Sequence, residues 1–472
     1  MNNQSGKSTP RQRLNRMVEQ LRDDIAVRGK YAPGQFLPSE LALVKQYGLS
    51  NKTVRKGLEQ LMAEGLIEKI PRVGSVVTDR ANPKPATLML GVMGSLERDM
   101  KLGAMLGGFS RLHPEVRIET VRIPSSGFAD MAEPLLAEGV LDAFMINDEL
   151  FWALTQNGDA SPLAPLPRRD DVYPFLNESF THNGELLAQP LLFSPVVLAY
   201  NKDHFREAGI PEPDGSWTWE DALRHGESLS LPPERFGLVF YPLSNNRWPL
   251  FLLQSGMPFA AKSGEPFRLE GTPLMDSIRL FKTLIRNRTV FPDFIAESSN
   301  DYIDLFRLGK ASMTLATYMA LNDFAFEDLN YDITPVPFMR EPATLLTAIG
   351  IAVNKRSRNP EAAAKLAGYL ASASSQRMIR NETLSIPAVK PIAEADPEEA
   401  GGLNRPRRFP MYRNIVPSFR RHRDLMLAPG AFGRLRELLK RYWSDLIDER
   451  SLCCELEQIV NRGSGQMREP TI

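Results

Sequence analysis

The sequence predicts a multidomain protein, with a small α+β module over the first 78 residues and a large α/β body after it. Three observations carry this prediction. At 472 residues the chain is longer than one ordinary hydrophobic core supports. Between Arg11 and Thr78, three short apolar-periodic segments and two alternating ones lie between closely spaced glycines. From Leu88 onward, apolar runs of strand length alternate with amphipathic helical periods, as in a sheet covered by helices.

Met1 to Pro10 is polar and is expected to be a disordered tail. Over Arg11–Arg28, Leu14, Val18, Leu21 and Ile25 recur at helical spacing and form one apolar face. Tyr31 to Leu37 reads as a Pro/Gly turn. Ser39 is placed to cap a helix that runs through Tyr47 and ends at Gly48, with Leu41 and Val44 inward. Ser50 caps a third helix, Asn51–Glu64, whose buried stripe is Val54, Leu58 and Leu61. Asn51, Lys52 and Arg55 then gather at its exposed N-terminal end. Leu66–Ile70 and Ser75–Thr78 read as two strands joined by Pro71-Arg72-Val73-Gly74. Helix, turn, helix and hairpin in that order present one helix to the DNA major groove.

Asp79 to Thr87 carries two prolines without apolar periodicity and reads as a linker. The body opens with strand Leu88–Met93, helix Lys101–Leu112, strand Val116–Val121, helix Phe128–Glu138 and strand Ala143–Ile146. The alternation continues through Val196–Tyr200, Trp219–Leu229, Phe236–Tyr241 and Leu274–Arg286. The C-terminal third is mainly helical, clearest over Pro360–Ala373 and Phe432–Val460. No solenoid-like internal repeat is visible.

Charge divides unevenly. Met1 to Arg80 holds 14 Lys and Arg against 8 Asp and Glu, an excess of six that the remainder cancels, since the whole chain is neutral. A basic head on an acidic body suits a nucleic-acid-binding module joined to a sensor. The adjacent Cys453 and Cys454 offer neither a disulfide framework nor metal spacing and read as buried thiols. No apolar leader segment and no run of membrane-spanning length is present, so a cytoplasmic location without membrane contact is expected. The five histidines show no ligand spacing, and no nucleophile or phosphate-cradle motif appears. No cofactor, metal or catalytic residue is therefore expected. The arginines between Arg405 and Arg423 read as a solvated surface.

Leu37-Pro38-Ser39-Glu40, Ser50, Thr53-Val54-Arg55, Leu58, Leu61, Glu64-Gly65-Leu66-Ile67, Gly74 and Val77 stand at spacings that resemble the winged helix-turn-helix of GntR-family transcriptional regulators. The resemblance implies operator DNA as a partner, contacted by Ser39, Ser50, Asn51, Lys52, Thr53, Arg55 and, from the wing, Arg72. Two positions depart from the family, which commonly has Arg where this chain has Leu41 and often has Arg where it has Asn51.

Pro190 to Lys202 (PLLFSPVVLAYNK), Ala208-Gly209-Ile210-Pro211, Trp217-Thr218-Trp219-Glu220-Asp221-Ala222, Phe306 to Met313 and Ser385-Ile386-Pro387-Ala388 resemble the solute-binding proteins of carbohydrate ABC transporters. This implies a two-lobed α/β, periplasmic-binding-protein-like clamshell over residues 88–472, crossing between lobes first near Ala188 to Pro195. Sugar sites combine aromatic platforms with carboxylate and amide side chains. Candidate ligand residues are Asn147, Asp148, Glu149 and Trp152 in the loop after one strand, Asn246, Arg247 and Trp248 after another, Ser194 in the crossover, and Tyr318. Trp217 and Trp219 read as packing aromatics. The expected function is a ligand-responsive, homodimeric DNA-binding regulator whose effector is a mono- or oligosaccharide. A transport receptor and a carbohydrate-active enzyme stay open as alternatives.

Overall fold

The computed structural model describes residues 9–26, 28–78, 85–123, 128–155, 162–260, 265–293, 296, 298–397 and 402–464. Most of the expected tail (residues 1–8) and linker (residues 79–84) lies outside the described residues. The chain divides into two compact units, Met1–Ala86 with Pro114–Arg117, and Thr87–His113 with Ile118–Ile472.

The first unit contains α1 (Pro10–Ala26), α2 (Glu40–Tyr47), α3 (Asn51–Ala63) and an antiparallel hairpin of β1 (Ile67–Ile70) and β2 (Gly74–Val77). Met17, Val18, Leu21 and Ile25 of α1 share a core with Leu43, Leu49, Val54, Leu58 and Leu61. Ser39 caps α2, and Gly48 ends it in the left-handed conformation that glycine adopts without steric cost. One inward assignment is corrected. Leu41 is 65% exposed, and Leu43 takes the core position instead. The Ser39 cap sets the phase: Leu43 and Tyr47, four residues apart, share the inner face, which turns Leu41 outward.

The strands that follow, all in the second unit apart from Ala86, Val116 and Arg117, are β3 (Ala86–Val92), β4 (Val116–Arg122), β5 (Ala143–Asn147), a small hairpin of β6 (Thr181–His182) and β7 (Glu185–Leu186), β8 (Ala188–Asn201), β9 (Phe236–Val239), β10 (Ala311–Thr317), β11 (Tyr331–Thr334), β12 (Thr344–Val353), β13 (Ile386–Pro387) and β14 (Phe419–Arg420). The main sheet runs β4-β3-β5-β12-β8-β10-β9. Its two halves are the sheets of two lobes. Residues 188–195 of β8 pair with β12 and β13, whereas residues 196–201 pair with β10 and β11. The handover at Pro195-Val196 is the expected crossover.

Every residue of β8 is buried, although it contains two prolines. A proline inside a central strand needs an interruption of the ladder, because it has no N–H to donate. At Pro190 the interruption is a bulge. Pro190 stands opposite Gly350 and Leu192 opposite Ile349, so Leu191 is the extra residue. Its carbonyl instead accepts from the Ala388 N–H at 3.0 Å and the Gln376 amide at 2.9 Å. A side chain at Gly350 would place its Cβ 2.8 Å from the Gln189 carbonyl, which accounts for the glycine. Pro195 lies at the point where β8 changes partners.

Three further expectations are corrected. Asp148, Glu149 and Trp152 are not in a loop but on a helix, Asp148–Thr155, that starts directly after β5. Cys453 is buried, with its thiol pushed up to about 11 by burial, but Cys454 is exposed. The arginines of the 405–423 stretch do not form a uniformly solvated surface. Arg405 donates to the Arg380 and Thr383 carbonyls and lies over the Phe409 ring, Arg413 donates to the Glu394 carbonyl, and Arg421 to that of Phe175. They staple irregular chain to the body by satisfying carbonyls that no ladder reaches.

Candidate functional site

The candidate residues fall on two surfaces and in the core, and the surfaces lie one in each unit. In the first, Ser50 caps α3 by accepting the Thr53 N–H at 3.2 Å, and the two hydroxyls lie 2.8 Å apart. Ser39 accepts the Ala42 N–H at 3.2 Å. Both serines are thus helix caps whose hydroxyls are already engaged. Asn51 and Lys52 are exposed at the positive end of α3, where anions are stabilised. Arg55 follows one turn later, and its Nε donates to Glu40 Oε2 at 2.8 Å. The other Glu40 oxygen accepts from Lys69 of β1 at 2.7 Å. Lys69 and Arg55 hold the Glu40 carboxyl below the usual range, and this three-residue cluster ties α2, α3 and the hairpin together. Arg72 sits exposed at the hairpin tip with φ 63°, at the position of a turn that glycine normally fills.

In the second unit, the chain segments that follow β3, β5 and β9 line a cavity of about 340 Å³, the one after β5 being the start of the helix Asp148–Thr155. In open α/β sheets ligands lie outside those strand ends. One lobe contributes Met93, Asn147, Glu149 and Leu150, and the other Ser244, Asn245 and Asn246. Glu149 Oε1 accepts from the Asn245 amide at 2.8 Å, a hydrogen bond between the lobes. Asn245 Oδ1 is buried without a protein partner. Asn246 Oδ1 accepts from the Thr347 hydroxyl at 3.4 Å. Asn147 Oδ1 is spent on the Leu150 N–H at 2.8 Å.

A second cavity of about 520 Å³ shares Glu149 with the first and is lined by Asp148, Trp152, His182, Arg421 and His422, among others. His422 Nε2 donates to the Asn245 carbonyl at 2.7 Å. Asp148 Oδ1 accepts the Ala348 N–H at 2.9 Å, and burial pushes its carboxyl above the ordinary range.

The structure therefore brings together Asn147, Glu149 and Asn246 at one cavity, and Asp148, Glu149 and Trp152 at the other. It places the remaining candidates elsewhere. Trp248 is 1% exposed and stacks on Phe432 at 4.8 Å. Tyr318 is 0% exposed, and its hydroxyl donates to the Phe409 carbonyl at 3.0 Å. Both are core aromatics, covered by chain that follows much later in sequence. Arg247 is buried, donates to the Leu315 carbonyl at 3.0 Å, and is pushed down to about 10 by burial. Ser194 is fully buried in β8, where its hydroxyl donates to the Pro195 carbonyl at 3.3 Å. Asn245 was not singled out in the sequence, and His422 figured only among the five histidines without ligand spacing. The Asn245-Asn246 pair after a strand was the available signal for the first; His422 carried none.

A profile of bacterial extracellular solute-binding proteins matches residues 106–402. The chain belongs to that family. In addition, the profile of bacterial regulatory proteins of the gntR family matches residues 14–77, so a solute-binding protein fold follows a regulator's domain in one chain. The HTH-type transcriptional regulator TreR of Bacillus subtilis is 48% identical over 52 residues, 11% of this chain and 22% of that protein. The sn-glycerol-3-phosphate-binding periplasmic protein UgpB of Shigella dysenteriae is 32% identical over 85 residues, 18% of this chain and 19% of that protein. The chain thus spans less than a quarter of the length of either relative. Maltose-bound MalE3 of T. maritima superposes with a TM-score of 0.69 at 17% identity, covering 79% of this chain and 99% of that one. A solute-binding protein of Thermotoga lettingae bound to α-D-tagatose gives 0.69 at 15% identity, over 80% and 99%. At such identities the likeness is one of fold, and it confirms the clamshell. No described helix is long and apolar enough to cross a membrane.

Proposed function

We propose that this solute-binding protein is a DNA-binding transcriptional regulator whose small-molecule effector, a mono- or oligosaccharide, binds between the lobes. The observation that carries the reading is the Glu149–Asn245 contact at the strand ends of both lobes, in a chain that also holds a gntR-family domain with Asn51, Lys52 and Arg55 on its third helix. A carboxylate and several amides around one cavity match the hydroxyls of a sugar. UgpB is named for sn-glycerol-3-phosphate, and the structural neighbours hold maltose and tagatose, which supports a polyhydroxylated ligand.

Effector binding would act by favouring one arrangement of the lobes. To change DNA affinity it must bind the two states unequally, by about 1–3 kcal/mol in typical coupled systems. The protein would work in the cytoplasm as a homodimer, placing two α3 helices on a palindromic operator about one helical turn apart.

The test is a thermal-shift panel of mono- and oligosaccharides on the whole chain, repeated with the duplex lying upstream of its own gene. The reading expects one sugar to raise the melting temperature and to change the duplex affinity. If no sugar stabilises the protein, the carbohydrate assignment fails. If a sugar binds without altering duplex affinity, the regulatory assignment fails.

A further inference from the structure

We infer that Leu41 is a specificity-determining residue that reads the 5-methyl group of a thymine in the operator; this rests on the DNA-binding reading above. Leu41 stands in the first turn of α2, immediately after Glu40. Glu40 grips Arg55 of α3 at 2.8 Å and Lys69 of β1 at 2.7 Å, so the turn that carries Leu41 is the one that joins α2 to both the candidate recognition helix and the hairpin. Within α2 the inner face is already filled by Leu43, with Tyr47 beside it, and Leu41 projects away from it. The leucine is thus a large apolar side chain left in water, next in sequence to the carboxylate that holds two cations.

Two cations around one carboxylate leave a net charge of about +1, which favours the phosphate backbone at this junction. A leucine placed against a duplex has no hydrogen bond to offer. Among the four bases, only thymine presents an apolar group in the major groove, its 5-methyl. A T·A pair is therefore the one base pair that rewards Leu41, and every other pair sets it against a polar edge. Arg55, tied to the neighbouring Glu40, can meanwhile contact an adjacent base or phosphate, so the two side chains would read neighbouring positions.

The experiment uses the full chain. Operator duplexes are first selected from a random pool, and each thymine of the selected site is then replaced in turn by deoxyuridine, which removes only the methyl group. Dissociation constants are measured for the wild type and for Leu41→Ala. One deoxyuridine per half-site should weaken wild-type binding about fourfold, the worth of one buried methyl. Leu41→Ala should bind the unmodified site more weakly and lose nothing further with that deoxyuridine. Circular dichroism should match the wild type, since the side chain lies outside the core. The inference is overturned if no deoxyuridine weakens the wild type, or if the variant loses the same factor as the wild type. A chain that selects no duplex overturns the DNA-binding reading itself, and this inference with it.

Discussion

Arg98→Met is expected to destabilise the solute-binding unit by about 2–3 kcal/mol at pH 7. Arg98 lies in the short helix Leu96–Met100 that follows β3 in one lobe. Its Nη1 reaches both carboxylate oxygens of Asp323 at 2.7 Å, in the turn that follows β10 of the other lobe. Its Nε donates to Asp99 Oδ1, also at 2.7 Å. Asp99 is almost wholly buried. Removing one partner of a buried pair costs ~3–5 kcal/mol, because the other charge is stranded. Water reaches part of the guanidinium and of Asp323, which brings the figure down to ~2–3. Burial already holds the Asp99 carboxyl above its usual range, against the opposing pull of Arg98. In the variant only the Ser95 hydroxyl would oppose that shift. A native state that keeps a proton the unfolded chain has released loses stability as pH rises through the raised value. The deficit should therefore be largest at neutral pH and shrink on acidification. Urea denaturation of both chains at pH 7 and pH 4.5 measures this. Adding Asp99→Asn should restore most of the loss at pH 7. An Arg98→Met chain as stable as wild type at pH 7, or no recovery with Asp99→Asn, would refute the reasoning.

Three further outcomes are expected. Trp248→Ala should cost about 3–5 kcal/mol in denaturation experiments, as for any large core aromatic, whereas Trp152→Ala at the cavity wall should cost much less. Glu149→Ala should weaken binding of the sugar found in the thermal-shift panel by about 1.5–3 kcal/mol in calorimetry, the worth of a hydrogen bond to a charged group. Arg72→Gly should stabilise the first unit by about 1 kcal/mol, since arginine at φ 63° is strained there. The same change should weaken DNA binding and reduce its salt dependence by about one phosphate contact.

Local signals made most of the first unit legible. Ser39 and Ser50 cap where their spacing to the apolar stripe requires, and Gly48 ends α2. What failed was the phase of an eight-residue helix, too short for Leu41, Leu43 and Val44 to be ranked by periodicity. In the body, Glu149 and Asn246 were legible because they follow strands, and residues after strands in an α/β sheet face the crevice. Trp248 and Tyr318 satisfied the same rule and were misjudged. Their burial depends on Phe432 and Phe409, which arrive 184 and 91 residues later in the chain. No local pattern records such a cover. His422 shows the converse, since its place in a cavity wall comes with a hydrogen bond to a loop 177 residues earlier.

Ser194 shows how a residue can lie near the crossover without facing a ligand. β8 is interrupted twice, and the two interruptions differ in stiffness. At Pro190 and Leu191 the bulge is filled: the Leu191 carbonyl takes two donors, and Gly350 lets the neighbouring backbone close in. At Pro195 the strand lacks an N–H exactly where its partners change from β12 and β13 to β10 and β11. A rotation of one lobe against the other at that point need not break a ladder hydrogen bond from β8. It must, however, be shared with β12, because Leu346 still stands opposite Pro195 and the Thr344 hydroxyl donates to the Val196 carbonyl at 2.6 Å. The motion available is thus a bend of two coupled strands around Pro195. Such a bend would carry Asn245 away from Glu149 and Asp323 away from Arg98, so an effector that bridges Glu149 and Asn245 would oppose it in the same sense as the ion pair does.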